Sequence, residues 1–137
     1  MTRREARKRA FELIFKMDFS YLTDKFDQLD IFFDENEEID EETKNYIMNT
    51  VKGVYDNVEN IDKMIDENLK GWKFDRLTKV DKSILRLVVF EIYYSKDIPM
   101  GVAINEGIEI TKEYSTDDAP SFINGVLGTI TSNIKEV

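Results

Sequence analysis

Residues 80–95, VDKSILRLVVFEIYYS, form the most apolar run of the chain, and the architecture turns on whether they make a helix or a strand. Ile84, Leu85, Leu87, Val88, Val89, Ile92 and Tyr93 cover most of a helical circumference, which would put such a helix at the centre of the protein. A strand competes, because β-branched and aromatic residues abound in ILRLVVFEIYY. The length of the run and the flanking Asp81, Lys82 and Arg86 favour the helix.

The spacing is helical on both sides of this segment. Upstream, Ala6, Ala10, Leu13, Ile14, Met17 and Tyr21 share one stripe at three- and four-residue steps, predicting a first helix. Thr23 is a candidate cap for a short second helix through Phe26, Leu29, Phe32 and Phe33. Asp40 precedes a long third helix, with Tyr46, Ile47, Thr50, Val51, Val54, Tyr55 and Val58 inward. NIDKMIDENLKG, residues 60–71, reads as a short fourth helix stopped by Gly71. Downstream, Pro99 breaks the chain before a helix from Gly101 to Tyr114, where Ala103 and Gly107 admit a close neighbour. STDDAP, residues 115–120, is a loop in which Asp117 or Asp118 caps the last helix and Pro120 fits its first turn. That helix turns Phe122, Ile123, Val126, Leu127, Ile130 and Ile134 inward. Seven helical segments joined by short connectors predict one compact all-α domain over residues 1–137.

Composition narrows the chemistry. With no Cys and no His, thiol nucleophiles, Ser-His-Asp triads and His/Cys zinc sites are excluded, and no disulfide can form. The acidic tract DENEEIDEE, residues 34–42, imitates a calcium loop, but Ile39 stands where that loop needs Gly and Asn45 where it needs Glu. It reads as a solvated connector. No phosphate-binding glycine motif occurs, and no apolar run is long enough for a membrane span. Glu12, Lys16 and Asp18 interrupt the apolar stretch that a signal peptide would need, so the expected location is the cytoplasm.

Charge is unevenly placed. The chain carries −9 overall, yet residues 1–16 hold six of its 19 Lys and Arg and only two of its 28 Asp and Glu. In helical projection Arg4, Arg7, Lys8, Phe11 and Phe15 fall on a sector beside the core stripe. Guanidinium groups that hold phosphates, interleaved with rings that stack on splayed bases, suit single-stranded nucleic acid. The plainer reading has Phe11 and Phe15 widening the buried stripe while the cations pair with the acidic body.

The segments RREAR (3–7), KVDKSILRLVVFEI (79–92) and IPMGVAINEGIEITKEYSTDDAPSFINGVLGTI (98–130) resemble the NusB family of bacterial transcription antitermination factors. The resemblance covers essentially the whole chain. It implies two small three-helix bundles packed across each other, with no catalytic activity and no cofactor or metal. It further implies binding of boxA, a short single-stranded RNA element, together with NusE, which is also a protein of the small ribosomal subunit. Other Nus factors and RNA polymerase are then reached indirectly, and transcription of ribosomal RNA operons stays processive. A homodimer joined through the first helix is a further state compatible with that role, and a protein-interaction adaptor without direct RNA contact is the alternative.

Carried over by matching positions, the resemblance implies RNA contacts at Arg3, Arg4 and Arg7, with Lys8 and Arg9 as added cations, and stacking at Phe15. Glu5 departs from the basic pattern of many relatives. Asp118, Phe122 and Asn124 match a region associated with RNA and complex formation, although Asp118 is equally a helix cap. Asp81 matches an acidic position near the expected NusE contact, or it is a first-turn carboxylate favoured by the helix dipole. Asn105 and Glu106 are expected to tie helices together.

Overall fold

The computed structural model describes residues 1–19 and 26–134. Among these residues the regular elements are helical: α1 (Arg3–Met17), α2 (Asp27–Glu35), α3 (Glu41–Asp56), α4 (Val58–Glu67), α5 (Lys79–Tyr94), α6 (Met100–Tyr114) and α7 (Ala119–Ile134), with one 3-10 turn at Phe74–Arg76. The strand alternative for residues 80–95 therefore fails. A run apolar around most of its circumference needs neighbours on most sides, and α5 packs against α1, α3, α4, α6 and α7. Around it α1 packs with α2 and α3, and α6 packs with α7.

The charged residues of this helix, Arg86 among those that favoured it, do not all face water. Arg86 and Glu91 on α5 are both buried. The Arg86 guanidinium donates in bidentate fashion to Asp62 on α4, at 2.8 and 2.9 Å, and to Asp18 after α1 at 3.1 Å. A charged side chain can be buried in this way when its donors are matched to carboxylates. Burial would raise Asp18, but the hydrogen bond from Lys79 and the charge of Arg86 outweigh it and hold the carboxyl below its usual range.

Several expected boundaries hold for the anticipated reason. Asp40 caps α3 by accepting from the Thr43 amide at 2.9 Å. A Cβ on Gly107 would fall inside Val88, so α6 approaches α5 more closely than a larger residue would allow. The stop of α4 differs from expectation. The helix ends at Asn68, whose side-chain amide donates to the Met64 carbonyl at 2.7 Å, and Gly71, at φ 78°, shapes the turn beyond it. Asn36 and Asn57 end α2 and α3 with the same bond to the carbonyl four residues back. Thr23 and Tyr21 lie outside the described residues.

Candidate nucleic-acid interface

The cationic tip starts with a cap. Thr2 accepts from the Glu5 amide at 3.1 Å, while the Glu5 carboxylate accepts from the Thr2 amide at 3.0 Å. This reciprocal box satisfies two amides that a helix start leaves free. Glu5, the departure from a wholly basic motif, therefore fixes where α1 begins. The signal, Thr followed three residues later by Glu, was present in the sequence.

The three arginines have different fates. Arg3 is half-exposed; its guanidinium lies over the Tyr46 ring at 3.9 Å, and its ion pair, with exposed Glu42, is long at 4.0 Å. Arg4 donates to both oxygens of Glu106 on α6, at 3.0 and 2.8 Å, yet 60% of its side chain remains exposed. That bond, ahead of the opposing effect of burial, holds the Glu106 carboxyl below its usual range. Arg7 differs from both in its surroundings. It is only 4% exposed, with Nε donating to fully buried Glu91 at 2.9 Å and Nη1 reaching Glu106 at 3.5 Å. Tyr46 completes the cluster by donating its hydroxyl to Glu91 at 2.7 Å. In this arrangement Arg7 is an internal tie between α1, α5 and α6, with almost no surface left for a ligand.

Lys8 pairs with Glu113 on α6 at 3.1 Å, and Arg9 with Glu12 at 3.0 Å. Tyr114 donates to Glu12 at 2.7 Å and packs on Phe11, ring centroids 4.8 Å apart. Phe11 is buried, which fits the plainer reading of that ring. Phe15 is half-buried and meets exposed Phe19 edge-on at 4.9 Å, with Lys79 standing 5.0 Å over the Phe19 ring. Thus α1 and α6 lie side by side in one direction, and both end at the start of α5. There Lys79 bonds Asp18 at 3.0 Å and Asp81 accepts from the Ser115 hydroxyl at 2.7 Å.

At that junction a groove of about 240 Å³ brings together Asp81, Asp118 and Phe122, three residues singled out from widely separated segments. Trp72 and Arg76 complete its walls. Trp72 was missed by sequence reasoning, yet it is 59% exposed. Its signal was available: the single tryptophan falls after Gly71, between two helical segments instead of on an apolar stripe. Asp81 also occupies the first turn of α5, where its amide donates to the Thr78 cap at 3.1 Å. Asp118 is exposed directly before α7, and its carboxylate accepts from Thr116 at 2.9 Å. Asn124 is exposed on α7, away from the groove lining. Of the two expected ties on α6, Glu106 bridges to α1, whereas Asn105 is exposed and makes no side-chain hydrogen bond among the described residues.

Among the described residues no carboxylate cluster is arranged to hold a metal ion, and no helix is long and apolar enough to cross a membrane.

Fold and surface together define an all-α protein in which a cationic helix lies beside an acidic one and leads to an aromatic groove. The NusB family model matches residues 4–132. The transcription antitermination protein NusB of Clostridium novyi is 43% identical over 132 residues, covering 95% of this chain and 98% of that protein. A T. maritima NusB structure superposes with a TM-score of 0.88 at 34% identity, covering 96% of this chain and 92% of that one. A structure of antitermination factors NusB and NusE in complex with dsRNA superposes at 0.85 and 26% identity, covering 96% of each chain. The chain belongs to the NusB family.

Proposed function

We propose that this protein is a non-enzymatic transcription antitermination factor that binds boxA-type single-stranded RNA together with NusE. The observation that carries this reading is the course of exposed and half-buried groups along one side of the molecule. Arg3, Arg4 and Lys8 lead along α1 to Phe15 and Phe19, then to the groove of Asp81, Asp118, Phe122 and Trp72. Cations followed by accessible rings suit a sugar–phosphate chain with unstacked bases. Similarity to a NusB that was crystallised with NusE and dsRNA supports an assembly with NusE and RNA here, and the choice of the single strand rests on the accessible rings. In that assembly Asp81 faces the protein partner, Asn124 extends the RNA surface, and further Nus factors and RNA polymerase are engaged indirectly. The site of action is the cytoplasm, where transcripts are made.

The Arg4–Glu106 and Lys8–Glu113 pairs favour a second reading, an adaptor that binds its protein partner with no RNA contact. Titration of labelled boxA-type RNA, single-stranded and duplex, with and without NusE, separates the two. The first reading expects synergy between RNA and NusE. It also expects affinity for the single strand to fall with salt, with a log–log slope of about −2 to −3.5 for roughly three to five phosphates. Absence of RNA binding at every salt concentration, with NusE binding unaffected by RNA and by Arg3→Ala and Arg4→Ala, would establish the second. Sedimentation of the protein without RNA tests the homodimer.

A further inference from the structure

Arg3 belongs to two surfaces. Besides heading the cationic face of α1, it opens a groove of about 500 Å³ between the first half of α3 and the connector from α5 to α6. This volume lies within the roughly 300–1,000 Å³ typical of small-ligand sites. It is about twice the volume of the Trp72 groove.

Three features make this groove suitable for one nucleotide. The first is a pre-set cation: the Arg3 guanidinium lies over the Tyr46 ring, whose hydroxyl is held by buried Glu91. Its ion pair with solvent-exposed Glu42, at 4.0 Å, is easily exchanged for a phosphate. The second is an aromatic platform. Tyr94 is 39% exposed and stacks on Phe90 with ring centroids 5.7 Å apart and planes 16° from parallel. Phe90 in turn sits where a side chain on Gly53 would collide with it, so the platform is backed by the α3 backbone. The third is Lys96, an exposed lining residue with no ion pair among the described residues. Glu42 and Asp97 also line the groove. They disfavour a phosphate beside them and can accept hydrogen bonds from a base amino group.

We propose that this groove binds one further nucleotide of the RNA strand that runs along α1, its base stacked on Tyr94 and its phosphate held between Arg3 and Lys96. The proposal rests on the RNA-binding reading above and extends the track beyond the start of α1. Fluorescence anisotropy tests it with single-stranded boxA-type RNA in the presence of NusE. Two probes are used, a core oligonucleotide and one lengthened by two nucleotides at each end. The intact protein should bind the longer probe more tightly. Tyr94→Ala should weaken that binding roughly tenfold or more, as loss of one stacked base does, whereas Tyr94→Phe should retain it. Lys96→Ala, at an exposed position that the fold does not need, should lower the log–log salt slope by about 0.7. Binding of both probes by the intact protein with Tyr94→Ala and Lys96→Ala unchanged would overturn the groove alone. Failure of the intact protein to bind either probe would remove the RNA reading and this proposal together. Loss of NusE binding by these variants in the absence of RNA would assign the groove to protein contact and overturn the proposal.

Discussion

At the scale of single residues, burial separates arginines that look alike in the sequence. Arg7 is raised above its ordinary value although burial works against it, because the Glu91 charge, with Tyr46 behind it, favours the cation. Glu91→Gln would leave that guanidinium buried with only the longer contact to Glu106. The expected loss is about 3 kcal/mol in urea unfolding, since an uncompensated buried charge is costly. Arg4 gives the opposite outcome. Its guanidinium is solvent-exposed although Glu106 is not, so Arg4→Ala should shift the urea unfolding midpoint far less than Arg7→Ala does. The same variant should weaken RNA binding measurably at low salt. Arg7→Ala should instead lower the unfolding midpoint first, and any loss of RNA affinity should follow from unfolding.

Helix propensity and packing oppose each other at the scale of elements. Alanine is a better helix former than glycine by about 1 kcal/mol, which alone would favour Gly107→Ala. The close approach of α5 reverses the sign, because the added methyl would overlap Val88. The variant should be destabilised by about 1–3 kcal/mol, measured by thermal or chemical unfolding. The start of α1 shows a related trade. Glu5 lowers the positive charge of the tip but forms the cap that orders Arg3 and Arg4 on the first turn. Caps were legible where a Ser, Thr or Asp precedes an apolar period, as at Asp40. The three asparagine stops were not anticipated, because Asn also occurs freely in turns and on exposed faces.

The whole molecule carries −9, and two of its carboxylates are favoured in their ionised form by internal cations. Glu106 and Asp18 both lie below their usual range when folded. Protons therefore bind more readily to these groups in the unfolded chain. Their stabilisation is complete above the unfolded carboxylate range, near pH 4, and is lost as pH falls through the lower folded values. Unfolding free energy should accordingly decline on acidification below about pH 5. Glu106→Gln should flatten part of that decline, as followed by urea titrations from pH 7 to pH 3. Removing Glu106 also frees Arg4, so RNA affinity should rise if phosphate and carboxylate compete for that guanidinium.

The amino-acid sequence alone determined the helices, because a 3.6-residue period and the residues that cap it act over a few positions. It also determined the central place of α5, whose mostly apolar circumference leaves little face for water, and the concentration of cations on α1. Only the tertiary structure decided which cations stay available. Arg7 meets Glu91 across 84 residues, and Arg86 meets Asp18 across 68. Nothing local distinguishes Arg7 from Arg4, or predicts that Trp72 would share a groove with Asp81, Asp118 and Phe122. Those outcomes depend on how α1, α5 and α6 cross. That crossing is set by long-range packing, where a buried charge is kept only if its partner arrives from elsewhere in the chain.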